Sequence, residues 1–293
     1  MSEALARSYE APACVEDAVA LLSKHGPQAR VLAGGTDLLA QMRAGLRHPA
    51  LFVDVKRIPE LLEVRESADA ISIGAAAPAA LVREHPALVR HFPGLAEAVA
   101  LIGSEQIQGR ASVGGNLCNA SPAADTTPAL LVNDAVAELA GPSGRRRLPA
   151  LELCTGPGRT VLAPGELLVA LHIAHPPPRT ADAYLRLIPR SEMDIAVVGA
   201  AVRVSLGPDG RCSDARVALG AVGPTAFRVP DAEAALVGTT LDAAARARLM
   251  DAARAAARPI DDKRGTVAYR RQVAGVLARR AAEIAFQRAG KGH

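Results

Sequence analysis

Apolar residues recur at helical spacing at Val15, Ala18, Val19 and Leu22, and Gly26-Pro27 ends the pattern, so a short amphipathic helix is predicted over 15–24. Arg30 to Ala33 then reads as a short strand entering Gly34-Gly35, followed by a helical stretch from Leu38 to Arg43 that stops before Gly45. Leu51 to Val55 is a compact apolar run suited to a buried strand, which makes the first 57 residues a small α/β unit with a parallel pair of strands. Ala70 to Gly74 predicts a further strand and Leu95 to Ile102 a helix. An apolar pattern resumes from Ala129 to Leu139, Gly141 to Leu148 fits a tight turn between strands, and Leu167 to Ile173 reads as a strand. Residues 58–176 are therefore expected to form a second, α+β unit.

Three consecutive prolines, Pro176 to Pro178, stiffen the backbone and terminate any regular element, so a domain boundary is expected there. Beyond it, Ala200 to Leu206 and Ala215 to Val222 read as strands around the turn Gly207-Pro208-Asp209-Gly210. Ala232 to Val237, Leu241 to Ala257 and Tyr269 to Gln287 read as helices, the last with Val273, Val276, Leu277, Ala281 and Ile284 on one face. A C-terminal domain over 179–289 follows from this pattern.

Composition narrows the function. With 49% hydrophobic and 22% charged residues the 293-residue chain is globular, and its formal charge of +4 is spread along the length, which leaves no nucleic-acid footprint. The run Arg145-Arg146-Arg147 beside a turn reads as a solvated hairpin tip, with a phosphate-bearing partner as the alternative. There is no Trp, with only four Phe and three Tyr, so the core is aliphatic and a stacking platform for single-stranded nucleic acid is ruled out. Cys14, Cys118, Cys154 and Cys212 lie far apart, without the spacings of zinc or iron–sulfur sites. Met1 to Glu10 is mixed and polar, and no apolar run reaches the ~18 residues of a membrane span. The expected location is cytoplasmic.

Two segments join paired glycines to small polar residues: Leu32-Ala33-Gly34-Gly35-Thr36-Asp37-Leu38 and Ser112-Val113-Gly114-Gly115-Asn116-Leu117. Glycines permit positive φ and let main-chain N–H groups approach a ligand, and the helix starting after Thr36 adds a favourable dipole. A pyrophosphate gripped by two such loops accounts for both segments; a plain turn is the alternative for each taken singly. Asp37 is expected to cap its helix or point away, because a carboxylate facing a pyrophosphate is repelled. No Rossmann fingerprint, Walker loop or nucleophile elbow occurs, and His172 and His175 lack zinc-protease spacing. No catalytic acid, base or nucleophile is assigned.

These residues carry a resemblance. Leu32 to Leu38, together with Gln106 to Asp125, resembles the FAD-binding (medium) subunit of molybdenum hydroxylases, a family that includes the carbon monoxide dehydrogenase medium subunit and the xanthine dehydrogenase FAD subunit. Gly156 to Leu168, Arg190 to Ala196, Ala218 to Pro224 and Tyr269-Arg270 extend it over nearly the whole chain. The resemblance implies a two-subdomain FAD-binding domain of the vanillyl-alcohol-oxidase type and a small C-terminal domain of sheet plus helices. It implies FAD contacts at Leu32, Ala33, Gly34, Gly35, Thr36 and Asp37, at Ser112, Val113, Gly114, Gly115 and Asn116, and at Asn119, Asp125 and Leu168. Arg186 falls where the family usually has a lysine near the cofactor. Asp194 matches an acidic position near the flavin ring, and Ile195 lies where some members put an aromatic. The implied partners are a [2Fe-2S] iron–sulfur subunit and a large molybdopterin subunit, in a heterotrimer, with NAD, a quinone or oxygen as electron acceptor. The alternatives are a stand-alone FAD-dependent oxidoreductase and a non-catalytic assembly protein of the same fold.

Overall fold

The computed structural model describes residues 7–291. The first six residues of the polar stretch Met1–Glu10, which also open the expected 1–57 unit, lie outside the described residues.

Among the described residues three larger sheets follow one another along the chain, with a two-stranded ribbon of Cys154–Gly156 and Arg159–Thr160 as a fourth. The first has three parallel strands in the order Ser8–Glu10, Leu51–Asp54, Ala29–Leu32. Leu51 and Val53 are buried in the middle strand, and helix Val15–His25 buries Val15, Ala18 and Leu22. Gly26, at φ +50°, closes that helix by donating its N–H to the Leu22 carbonyl. The sequence pattern had predicted only a pair of strands. The third, Ser8–Glu10, is exposed at every position and so has no alternation of apolar and polar residues to betray it.

The second sheet is antiparallel, ordered Val64–Glu66, Ala70–Gly74, Leu167–Ala174, Val136–Gly141, Gly144–Pro149. Helices Ala79–Glu84, Pro86–His91, Pro93–Ala100 and Thr126–Val132 contribute to the core that includes Ile71, Ile73, Leu139 and Leu171. The apolar run 129–139 is therefore two elements. Thr126–Val132 is buried on all sides, and Asp134, at φ +49°, turns the chain into strand Val136–Gly141.

The third sheet, also antiparallel, runs Thr180–Leu187, Val198–Leu206, Cys212–Gly220, Phe227–Arg228. Helices Pro230–Leu236, Ala243–Ala256 and Val267–Lys291 share its core. The long last helix buries Ala274, Leu277, Ala278, Ala281, Ala282, Ala285 and Ala289, while Val273 and Ile284 flank that core half-buried. The face differs from the expected one because alanines let the helix lie close to its neighbours: a Cβ on Gly275 would stand 2.8 Å from the Met250 carbonyl oxygen.

The third sheet is tied to the second unit through Asp182. Its carboxylate accepts from the N–H groups of Gly94 (2.8 Å) and Leu95 (3.1 Å), at the start of helix Pro93–Ala100, and from the Asn133 amide (2.8 Å). No side chain fits at Gly94, where a Cβ would lie 2.7 Å from the Ala183 main chain.

Candidate FAD site

A cavity of about 550 Å³ is walled by residues of the first two units, among them both glycine-paired segments. That volume is in the range of cofactor pockets.

The first segment leaves strand Ala29–Leu32 and enters helix Leu38–Arg43. Gly34 is glycine for packing: a Cβ there would lie 1.7 Å from the Arg110 carbonyl oxygen. Gly35 is glycine for conformation, with φ +75°. Among the described residues, no protein acceptor takes the N–H groups of Gly34, Gly35, Thr36 or Asp37. Lys56, which does not line the cavity, donates from its ammonium to the Ala33 carbonyl at 2.9 Å. Asp37 occupies the N-cap position without a side-chain capping bond, and burial pushes its carboxyl above the usual range.

The second segment is not a free loop. Ser112 is the N-cap of helix Val113–Cys118, its hydroxyl accepting the Gly115 N–H at 3.0 Å, so Gly114 and Gly115 form the first helical turn. Two adjacent glycines disfavour a helix interior, which is why the sequence pattern pointed to a turn. Packing overrides that preference, since a Cβ on Gly114 would be 2.4 Å from the Ala75 carbonyl oxygen. The contact of Gly34 with Arg110 brings the two segments together.

Ala33, Gly34, Gly35, Thr36, Asp37, Ser112, Gly114, Gly115, Asn116, Asn119 and Leu168 all line the cavity. Asn119 accepts from the Gln41 amide at 2.8 Å, joining helix Leu38–Arg43 to the second unit, and Asn116 accepts from the Thr126 hydroxyl at 2.6 Å. Leu32 and Val113 stand behind the wall, Leu32 under Gly35 and Val113 in the core. Asp125 and Arg186 form a separate ion pair at 2.6 Å, with the Tyr184 hydroxyl also donating to Asp125 at 2.9 Å. Burial raises the Asp125 carboxyl, an effect that Arg186 and Tyr184 oppose. Asp194 accepts from the Ile195 main-chain N–H and pairs with Arg264 and Arg190, which holds its carboxyl below the usual range. The Ile195 side chain is exposed and, like Asp194, off the cavity wall.

The sequence pattern missed two cations. Arg30 and Arg47 both line the cavity, and Arg30 is lowered from the ordinary arginine value by burial and by the charge of Arg47. Two guanidinium groups in mutual repulsion on one wall favour an anion between or beside them. Neither residue lies in a recognisable motif, so only the fold reveals them.

Residues 4–176 match the family model described as the FAD binding domain in molybdopterin dehydrogenase. The chain belongs to this family. Its cofactor is FAD. Residues 183–285 match the CO dehydrogenase flavoprotein C-terminal domain. The carbon monoxide dehydrogenase medium chain of Afipia carboxidovorans is 36% identical over 281 residues, covering 96% of this chain and 97% of that one. The xanthine dehydrogenase FAD-binding subunit of Escherichia coli O157:H7 is 35% identical over 253 residues, 84% of this chain and 86% of that one. Among solved structures, reconstituted CO dehydrogenase from Oligotropha carboxidovorans contains a chain that matches with a TM-score of 0.93 at 35% identity, covering 96% of this chain and 98% of that one. Quinoline 2-oxidoreductase from Pseudomonas putida 86 matches with a TM-score of 0.90 at 30% identity, over 97% and 98%. This chain is thus the FAD-binding medium subunit of a molybdenum hydroxylase, an oxidoreductase component.

The residues present fit the cofactor. A dinucleotide needs main-chain donors and positive charge at its diphosphate, and the cavity wall offers amides at 34–37 that no acceptor among the described residues takes, together with Arg30 and Arg47. No described helix is long and apolar enough to cross a membrane.

Proposed function

We propose that this chain takes electrons from the [2Fe-2S] clusters of a partner subunit and passes them to an external acceptor, whether NAD, a quinone or oxygen. Bound FAD supplies the redox chemistry, since a flavin exchanges one electron or two. The protein's own residues bind, orient and shield it. The Gly34–Asp37 amides and the Gly114 end of helix Val113–Cys118 hold the diphosphate, Asn116 and Asn119 fix neighbouring polar groups, and Leu168 supplies an apolar wall. Leu32 and Val113 support the two turns from behind. Asp125 and Arg186 line no part of the cavity and pair with each other, and through Thr126, next to Asp125 and bonded to Asn116, they join the C-terminal domain to the residues of the wall. The reading further assigns residues 1–57 and 58–176 as the FAD-binding subdomains and 179–289 as the C-terminal domain. It also assigns a cytoplasmic enzyme completed by an iron–sulfur subunit and a large molybdopterin subunit.

The observation that carries this reading is the convergence of two glycine-paired segments on one cavity with two arginines and with amides that no acceptor among the described residues takes. It is tested on the purified full chain, which is expected to bind FAD stoichiometrically and to keep its flavin oxidised when a small-molecule substrate is added. Reduction should require the partner subunits. Flavin bleached by substrate in their absence would instead make the chain a stand-alone oxidoreductase. A colourless protein that binds no FAD would leave an assembly role.

A further inference from the structure

The first glycine turn is held by a chain of polar contacts from residues that do not line the cavity. The Tyr9 hydroxyl donates to the Asp54 carboxylate, which also accepts from the Lys56 ammonium at 2.7 Å and from the Lys56 main-chain N–H at 2.9 Å. The same ammonium donates to the Ala33 carbonyl at 2.9 Å. Asp54 and Lys56 stand at the end of the middle strand Leu51–Asp54, beside the strand that feeds the turn, and neither lines the cavity. The Asp54 side chain is 8% exposed and that of Lys56 28%, so the contact is a sheltered one. Its donor is charged, and such hydrogen bonds are roughly twice as strong as neutral ones.

The consequence lies in the geometry of one peptide. A trans peptide is planar, with its C=O and the following N–H pointing in opposite directions, and the described chain has no cis bond. Fixing the Ala33 carbonyl on Lys56 therefore turns the Gly34 N–H away from Lys56. Gly34 cannot relieve the constraint by shifting, because its Cα is pressed against the Arg110 carbonyl. The Gly34 amide has no protein acceptor among the described residues and belongs to a residue on the cavity wall.

We propose that Lys56 is a positioning residue for FAD: through the Ala33 carbonyl it orients the Gly34 N–H toward the diphosphate, with Asp54 and Tyr9 holding the ammonium in place. It does not touch the cofactor. Its charge is neutralised by Asp54, so it acts through orientation and not as a counter-ion. The proposal rests on the FAD-binding reading above and adds to it a residue outside both glycine-paired segments.

The test is titration of the FAD-free full chain with FAD, followed by flavin fluorescence, together with thermal unfolding of the same samples without FAD. Lys56→Met is expected to raise the FAD dissociation constant about tenfold at a temperature where the variant is fully folded. Lys56→Arg, which keeps a donor within reach of Ala33, is expected to recover most of that loss. Arg57→Met removes a neighbouring exposed positive charge without touching Ala33 and is expected to leave the constant unchanged. A Lys56→Met chain that melts lower yet binds FAD as the wild type does would overturn the positioning role and leave Lys56 as a structural residue. An equal loss with Arg57→Met would overturn it in favour of a long-range charge effect. If the wild-type chain itself takes up no FAD, the FAD-binding reading fails first and this proposal with it.

Discussion

At the residue scale, the glycines of the two segments do three different things. Gly34 and Gly114 are needed because main-chain carbonyls occupy the space of a Cβ, Gly35 because its φ is +75°, and Gly115 meets only the Ser112 hydroxyl, 2.9 Å from its would-be Cβ. A backbone obstacle cannot rotate aside as a side chain can. Gly34→Ala and Gly114→Ala are therefore expected to destabilise the FAD-free chain by about 3 kcal/mol, at the upper end of overpacking costs. Gly115→Ala should cost less, nearer the ~1 kcal/mol lost when an N-cap is disturbed. Urea unfolding without FAD checks the ranking, and an unchanged midpoint for Gly34→Ala would contradict the packing account. Loss of FAD from a bulky substitution at Gly34 or Gly114 would accordingly report a collapsed turn as much as a lost ligand contact. Cys118, on the same wall, is no candidate nucleophile, since burial, with a smaller contribution from Cys154, pushes its thiol up to about 12.

At the scale of elements, the arginine run belongs to the edge strand Gly144–Pro149 and is committed to ion pairs. Arg145 reaches Glu60 and Glu138, Arg146 reaches Glu166, and Arg147 reaches Glu138, where His172 also binds. Charged, paired side chains blunt an exposed sheet edge, which favours the hairpin reading over a phosphate-binding one. Glu138 is the hub. Burial raises its carboxyl, but hydrogen bonds from Arg147, Arg145 and His172 outweigh that and leave it at about 2. Because the folded value is depressed, the associated stability is fully present above the ordinary glutamate value and is lost as pH falls from there through about 2. The amount at neutral pH is on the order of 3 kcal/mol as an upper bound. Urea midpoints measured down the acid limb should fall more steeply for the wild type than for Glu138→Gln, which lacks the titrating group. Parallel curves would remove Glu138 as the source.

At the scale of the whole molecule, the C-terminal domain is fastened to the FAD-binding part by a buried carboxylate and an ion pair. Asp182 receives three donors from the other unit, and Arg288 of the last helix pairs with Glu97 while donating to the Asp182 main-chain carbonyl at 2.8 Å. Asp182→Ala strands the two helix N–H groups and the Asn133 amide in a buried interface, at about 1–3 kcal/mol for each group left unsatisfied. The expected result in calorimetry is a lower and broadened transition as the two parts cease to melt together. One sharp transition at the wild-type temperature would show that the remaining ion pairs and apolar contacts hold them without Asp182. Asp125 and Arg186 lie in this same junction, at the start of helix Thr126–Val132 and on strand Thr180–Leu187 respectively.

Much of this was legible along the chain because its signals are local. Helices Val15–His25 and Leu38–Arg43, strand Ala70–Gly74 and the C-terminal helices follow from spacings of two, three or four residues, which the periodicity of each element imposes on the sequence. The glycine pairs were visible for the same reason: a turn or a close approach demands that residue type wherever it occurs. Strand Ser8–Glu10, being wholly exposed, and helix Val113–Cys118, being glycine-rich, sent the opposite local message. What only the tertiary structure decided is which distant groups meet: Gly34 on Arg110, Lys56 on Ala33, Arg30 beside Arg47, Asp182 beneath Gly94. Each meeting depends on how separate elements pack, and no short-range pattern encodes a distance between residues that the chain itself keeps far apart. The sequence by itself thus determined the elements with a periodic pattern and the chemistry they offer, while packing determined the remaining elements, the cavity and which residues face it.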